Sequence, residues 1–454
     1  MSKVTLYNTL GRTPTTIPSK KDMVKIYACG PTVYDYAHIG NLRNYIFVDT
    51  LHRTLLLADK DVRLVINITD VGHLTDDADQ GEDKLEKRSK ERGKDAWELA
   101  EFYEEAFKQD LSDLNIKEPT SWPRATKHIQ EQIDLVKKME KRGYTYETSD
   151  GIYFDTSKLN DYGELVPNFS PEDLEAGHRV TMKEKRNSTD FALWKLSGDK
   201  NRQMEWDSPW GKGFPGWHIE CTAMGCAYLG ETFDIHTGGI DHIPVHHTNE
   251  IAQARGAYGK PHADIWMHGE FLNLKDGKMS KSKRGFIRLQ TVVDKGYSPL
   301  DFRYLCLLTK YRKPLEFSWD ALSAARKARF SLKNLIPSGE NTKKVYEPIK
   351  QALLDDLNTP KALGELRKVL TSDSFSDKDK RSIALYADTV LGLELDKEQV
   401  VPTDVKELAK KRDILRKKQR YDEADELRER IEQKGFVVED GEETTLRPSL
   451  EQQG

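Results

Sequence analysis

Cysteine is scarce in this chain and scattered: four residues in 454, at positions 29, 221, 226 and 306. Thiols so few and so far apart do not make a disulfide framework, and fit a reducing compartment where cysteine is used for burial or metal binding. Long apolar runs are absent as well. Hydrophobic residues make up 37% and charged residues 32%, and no stretch approaches the roughly 20 apolar residues that a membrane helix needs. The first residues, Met1-Ser2-Lys3-Val4-Thr5, carry no apolar secretory core, so the expected setting is cytoplasmic, with no membrane partner. A formal net charge of −4 argues against indiscriminate coating of nucleic acid, while leaving local basic patches free to hold phosphates. There is no internal repeat and no low-complexity tract. The length suffices for two to four domains with real cores.

What is present begins with Cys29-Gly30-Pro31-Thr32-Val33-Tyr34-Asp35-Tyr36-Ala37-His38-Ile39-Gly40-Asn41. Val24–Ala28 before it alternates like a half-buried strand, and Tyr45, Val48, Leu51 and Leu55 after it recur at helical spacing. Strand, Gly-bearing loop and helix in that order aim free backbone N–H groups and a positive dipole end at an anion. Arg63–Ile68 reads as a second buried strand, ending at Thr69-Asp70, which either contact a substrate or cap the next turn. A polar loop from Thr75 to Lys94 feeds a helix through Trp97, Phe102 and Leu111. From 121 to 204, Pro and Gly break the pattern into short pieces, including a predicted hairpin over Tyr144–Asp155.

Later, Gly216-Trp217-His218-Ile219-Glu220-Cys221 opens a helical segment, Thr232–His236 reads as a strand, and Gly238-Gly239-Ile240-Asp241 makes another Gly-bearing crossover. His246 and Glu250 follow on an expected helix. Four apart, they project from one face, which suits a surface polar pair or two ligands of one ion. With Cys29 and Cys221 they would supply two thiolates, one imidazole and one carboxylate, a mixture that favours zinc over magnesium or calcium. The spacing of the two cysteines matches no local zinc-finger pattern.

His38-Ile39-Gly40-Asn41, paired with Lys278-Met279-Ser280-Lys281-Ser282 some 240 residues later, resembles the two signatures of class I aminoacyl-tRNA synthetases. Cys29 ahead of the first signature, the Gly216–Cys221 run, Pro244-Val245-His246-His247-Thr248-Asn249-Glu250 and Asp355-Asp356-Leu357-Asn358-Thr359-Pro360 resemble the cysteinyl-tRNA synthetases. That resemblance implies an α/β fold. A Rossmann-like parallel-sheet catalytic domain lies in halves at 1–120 and 205–262 around a connective insertion at 121–204. A signature-loop domain at 263–322, a helical bundle at 323–400 and a small anticodon-binding domain at 401–454 follow.

It also implies a zinc ion, one per subunit, on Cys29, Cys221, His246 and Glu250, and Mg²⁺ accompanying ATP. His38, Lys278 and Lys281 would be catalytic. Gly40, Asn41, Asp241 and Lys281 would bind ATP, and Thr69 and Trp217 would line the pocket for L-cysteine. Cys226, His247 and Cys306 read as packing residues. The implied reaction joins cysteine to tRNA(Cys) through an adenylate, the chain acting as a monomer. A cysteine-activating paralogue that serves an amino-sugar, or a non-catalytic binding protein of the same fold, are the rival readings.

Two positions depart from the resemblance. Asn41 stands where the signature has a second His, so it can donate a hydrogen bond but no charge. Val71-Gly72-His73-Leu74 stands where many members carry Ile-Asp-Asp-Lys. In the tail, Lys406 to Arg420 holds eight basic residues, Lys406, Lys410, Lys411, Arg412, Arg416, Lys417, Lys418 and Arg420, against two acidic ones. They form either a phosphate footprint or a solvated helix face.

Overall fold

The computed structural model describes residues 3–18, 20–72, 84–166, 184–198, 202–274, 286–342, 344–397, 403–433, 436–439, 441 and 444–448. Lys278, Lys281 and the first part of the expected polar loop, 75–83, lie outside the described residues, whereas Lys84–Arg92 of that expected loop are helical. An N-terminal hairpin of β1 (Val4–Asn8) and β2 (Thr13–Ile17) precedes β3 (Met23–Ala28), α1 (Ile39–Leu57) and β4 (Asp61–Ile66). Next come α2 (Lys84–Arg92), α3 (Ala96–Asp113) and α4 (Ile129–Lys141). The predicted hairpin forms as β5 (Thr145–Thr148) and β6 (Gly151–Phe154), and an antiparallel sheet grows from it through β7 (Phe191–Leu196) to β8 (Gly213–Pro215).

The chain then returns through α5 (Trp217–Leu229), β9 (Phe233–Gly239), α6 (Thr248–Tyr258) and β10 (Ala263–Gly269) to the central sheet. That sheet is parallel, in the order β10-β9-β3-β4. Helices cover both faces of such a sheet, which is why Val24, Ile26, Tyr27 and Ala28 of β3 are all buried. The order reverses between β3 and β9, and ligands of open parallel sheets collect outside the strand ends at that point. Cys29 stands there, its N–H donating to the Thr237 carbonyl at 3.1 Å.

Of the 19 residues of α1, 14 are buried, so the helix runs through the core and its charged residues need partners. Asp49 accepts from Arg53 at 2.8 Å, from the Lys117 N–H at 2.9 Å, and from Arg303 on α8 (Pro299–Leu307, after the short α7, Leu289–Asp294). Burial pushes the Asp49 carboxyl up, but Arg303 and Arg53 outweigh it and hold it below its ordinary value. Arg303 also donates to the carbonyls of Leu391 (2.7 Å) and Leu114 (3.0 Å). Leu391 ends a helix of the following bundle, and Gly392 after it has φ +64 with a Cβ position only 2.6 Å from the Arg303 guanidinium. No other residue fits that cap without strain or clash.

The bundle comprises α9 (Trp319–Asn334), α10 (Glu347–Leu354), α11 (Thr359–Thr371) and α12 (Asp377–Leu391), with β11 (Leu272–Leu274) and β12 (Leu315–Phe317) pairing ahead of it. The junction at Asp355–Pro360 is a tertiary knot. Asp356 and Leu357 both have φ +52, a costly backbone for side-chain-bearing residues. Asp356 holds it by accepting from the Tyr7 N–H, the Tyr311 hydroxyl and Arg312 at 2.9, 2.7 and 2.7 Å.

In the tail, α13 (Thr403–Lys417) and α14 (Tyr421–Gln433) pack through Leu408 and Ile431 beneath a hairpin of β13 (Phe436–Glu439) and β14 (Thr445–Pro448). Arg412 turns inward to Thr444, so the exposed basic face of α13 is carried by Lys406, Lys410, Lys411 and Lys417.

A carboxyl on α3 gives the fold a pH-dependent term. Burial, then Asp113, push Asp110 up to about 7 against the pull of Arg288. A raised acid contributes stability that is whole below its unfolded pKa and is lost as pH rises through the folded one. Asp110→Asn is therefore expected to raise stability at pH 8 by about 1–2 kcal/mol, after allowance for solvent screening, and to change little at pH 4. Urea midpoints at both pH values check this; equal effects at the two would defeat it.

Candidate active site and metal centre

Four donor atoms converge where β3, α5 and α6 meet: the sulfurs of Cys29 and Cys221, a nitrogen of His246 and an oxygen of Glu250 lie within 4.8 Å of one another, all buried. The sulfurs are 4.0 Å apart, close to the roughly 3.8 Å that two thiolates span on one tetrahedral zinc. His246 Nε2 faces Glu250 at 2.9 Å, and its Nδ1 meets His218 Nδ1 at 3.0 Å, which fixes the ring and leaves Nε2 for an ion. The donor set and its spacing fit zinc.

Charge explains how such a pocket tolerates burial. Burial pushes Glu250 up, but His236 and His246 outweigh it and hold the carboxyl well below its ordinary range. Burial likewise opposes a proton on His246, yet Glu250 and Cys221 raise it to about 10. A cation entering here replaces a proton already stored on the imidazole. The Cys29 thiol donates toward Cys221 and lowers it to about 7, while burial pushes Cys29 itself well up.

The local backbone departs from the expected regular helix. Residues Ile243–His247 form a widened π turn, and the α-helix begins only at Thr248. The wide turn brings His247 inward beside His246, so His247 is no plain packing residue: its Nε2 lies 3.3 Å from the Cys29 sulfur. With Cys29, His236 and Glu250 it makes a second set of converging donors. Cys226 and Cys306 belong to neither set.

Beside the metal pocket opens a cavity of about 430 Å³, lined by Cys29 to His38, Gly40, Asn41, Trp217, Asp241 and Gly269 to Asn273, among others. That volume suits a nucleotide-sized ligand. At its edge His38 caps α1: its Nδ1 accepts the Asn41 N–H at 3.1 Å, and the Asn41 side chain accepts the His38 N–H at 3.2 Å. Asn41 thus closes a capping box on the helix that faces the cavity. Trp217 lines the cavity, and its ring lies 4.7 Å from that of His246, tilted by 32°.

Thr69 is buried and not on the cavity wall. Its backbone brackets the loop, accepting from the Val33 N–H and donating to the Pro31 carbonyl. Asp70 turns away to cap Thr126, accepting from its N–H at 2.9 Å and hydroxyl at 2.6 Å. Of the second signature only the flanks are described: Asn273 is on the cavity wall, Phe286 stands edge-on to His38, and the Ile287 carbonyl accepts the Ile39 N–H at 2.9 Å.

Several residues that hold the site escape a reading of the sequence. Asn67 accepts the Gly30 N–H at 2.8 Å and donates to Thr69, and a Cβ on Gly30 would stand 1.5 Å from the Asn67 carbonyl oxygen. Asn44 on α1 spans Gly238 and Gly239, donating to one carbonyl and accepting from the next N–H. Lys195 is the sole Lys or Arg on the cavity wall among the described residues, steadied by Asp150 at 2.7 Å and the Tyr153 hydroxyl at 2.9 Å. One signal was available: seven of the twelve histidines fall between 218 and 268.

A parallel sheet with a nucleotide-sized cavity at its switch point, a capped helix facing that cavity and the residues either side of the second signature beside it are the architecture of a class I aminoacyl-tRNA synthetase. Accordingly, the family described as tRNA synthetases class I (C) catalytic domain matches residues 15–327. A solved structure of Mycobacterium tuberculosis methionyl-tRNA synthetase in complex with methionyl-adenylate shares the fold at TM-score 0.54 and 16% identity, over 82% of this chain and 90% of that one.

Closer in sequence are a cysteine–tRNA ligase of Burkholderia lata, 49% identical over 96% of this chain and 94% of its own, and one of Treponema denticola, 43% identical over 96% and 97%. Another, of Borreliella burgdorferi, is 40% identical over 97% and 98%. The chain belongs to the cysteine–tRNA ligase family.

Proposed function

We propose that the chain activates L-cysteine with ATP to cysteinyl-adenylate, releases pyrophosphate and passes the cysteinyl group to the 3′ end of tRNA(Cys). The observation that carries the cysteine specificity is the convergence of Cys29, Cys221, His246 and Glu250 on one point beside the cavity. These four would hold one zinc ion per chain, and bound zinc would take the substrate thiol in preference to a hydroxyl. Cysteine and serine differ by one atom, which a pocket of apolar walls cannot separate far enough for translation.

The rest of the reaction falls to positioning and to charge. His38 and the backbone at Gly40 and Asn41 would meet the ATP phosphates at the α1 N-terminus, with Asp241 on the adenosine and Mg²⁺ accompanying the nucleotide. Lys281 and Lys278 would neutralise charge on the leaving pyrophosphate. Trp217 would close the amino-acid pocket, and Thr69 would act through the loop it brackets. The division into sheet halves, insertion, signature loop, bundle and terminal module gives tRNA an exposed basic face on α13.

No described helix is long and apolar enough to cross a membrane. A cytoplasmic enzyme is the reading that suits two working thiols, and it would act as a monomer.

Pyrophosphate exchange with cysteine and serine side by side tests this function. Exchange with cysteine, and about 10⁴-fold less with serine, is the expected result. Equal exchange with both would remove the metal-based selection. Cysteine-dependent exchange without charging of tRNA(Cys) would favour a different acceptor.

A further inference from the structure

Among the buried polar groups around the metal pocket that the site as described leaves unused is one phenol. Tyr27 is completely buried, and its hydroxyl makes no hydrogen bond of normal geometry among the described residues. A buried hydroxyl left unpaired costs about 1–3 kcal/mol, so its retention calls for an explanation in the state the protein works in.

Position supplies one. Tyr27 and Cys29 are two residues apart at the end of β3, and so lie on the same face of the sheet. On α5, Cys221 and Gly225 are one turn apart and share a face. The Tyr27 ring lies against the second of these, its Cδ2 only 3.4 Å from the place a Gly225 Cβ would occupy. Phe233 and His236 hold the ring from the other sides, with centroids at 6.1 and 5.3 Å. A phenol keeps its proton at neutral pH, so the group is available as a donor.

What the Cys221 sulfur lacks in the loaded pocket is a donor, whereas the Cys29 sulfur faces His247 Nε2 at 3.3 Å. With zinc bound, two thiolates, one carboxylate and a neutral imidazole leave the centre with a net charge of about minus one, buried from water. The Cys221 sulfur near Asn67 faces an amide oxygen at 3.8 Å, which can accept from a thiol and offers nothing to a thiolate.

We propose that the Tyr27 phenol donates a hydrogen bond to the Cys221 thiolate of the metal-loaded site, a positioning role that spreads the excess negative charge and slows loss of the ion. The proposal rests on the zinc reading above. Groups that hydrogen-bond a ligand typically govern metal affinity by 10–100-fold.

Tyr27→Phe tests it in the full-length protein, because the ring is kept and only the hydroxyl goes. Zinc transfer to a coloured chelator is expected to be about 10-fold faster than in wild type. The thiolate-to-metal charge-transfer band of the Co²⁺-substituted protein should shift, while the chelated protein should melt no lower than wild type. Unchanged transfer and an unchanged band would overturn the proposal. So would a lower melting point of the chelated variant with wild-type transfer, which would assign Tyr27 to packing alone. Wild-type protein purified without zinc would instead overturn the zinc reading itself, and this proposal with it.

Discussion

Cys221→Ser is expected to leave the purified protein without stoichiometric zinc and to lower cysteine-dependent pyrophosphate exchange by about 10³-fold or more. Cys221 is the thiol brought down to about 7 by hydrogen bonding from Cys29, with His246 adding to the effect against the pull of burial. It therefore reaches the thiolate form a metal requires at little cost near neutral pH. A serine hydroxyl is almost isosteric but does not ionise there, and it would leave Cys29, His246 and Glu250 to hold the ion alone. Because Cys221 lies in the first turns of α5, its backbone stays helical in the variant, and far-UV dichroism should be unchanged. Metal analysis and exchange are read on the same sample. Zinc retained at one per chain with exchange near wild type would show that the sulfur is not a ligand.

Asp49→Ala carries the largest expected loss of stability, about 3–5 kcal/mol, because it strands the fully buried Arg303 guanidinium. The carbonyls of Leu391 and Leu114 solvate that cation in part but bring no opposing charge. Replacing both partners by leucine should recover much of the loss, since the unpaired charge is removed along with its counterpart. Urea midpoints for Asp49→Leu, Arg303→Leu and the double variant give the coupling. A loss under about 1 kcal/mol for Asp49→Ala would mean that the network is solvated in some other way.

These two sites differ in how far the sequence discloses them. The apolar alternation of β3 and the three-and-four spacing of α1 are local, and the structure follows them to within a residue or two at most ends. The four metal donors come together through the resemblance, not through local spacing, because Cys29 and Cys221 are brought close by the sheet order. Asp49 and Arg303 stand 254 positions apart, and no periodicity links a charge on one helix to a charge on another. The same holds for Asn44 and Asn67, whose residue type reads as loop until the Gly-bearing crossovers they hold are seen beside them. The π turn at Ile243–His247 has no pattern of its own, and without it His247 reads as filler. Asp70 could be read two ways, as substrate contact or as cap, and the Thr126 bonds show the cap.

The cap on α1 also decides something about protons. A backbone N–H can only donate, so the bond from Asn41 commits His38 Nδ1 to accepting. An imidazole with that nitrogen occupied carries its hydrogen on Nε2. The cap thereby selects the tautomer in which the outward nitrogen gives a hydrogen bond and takes none.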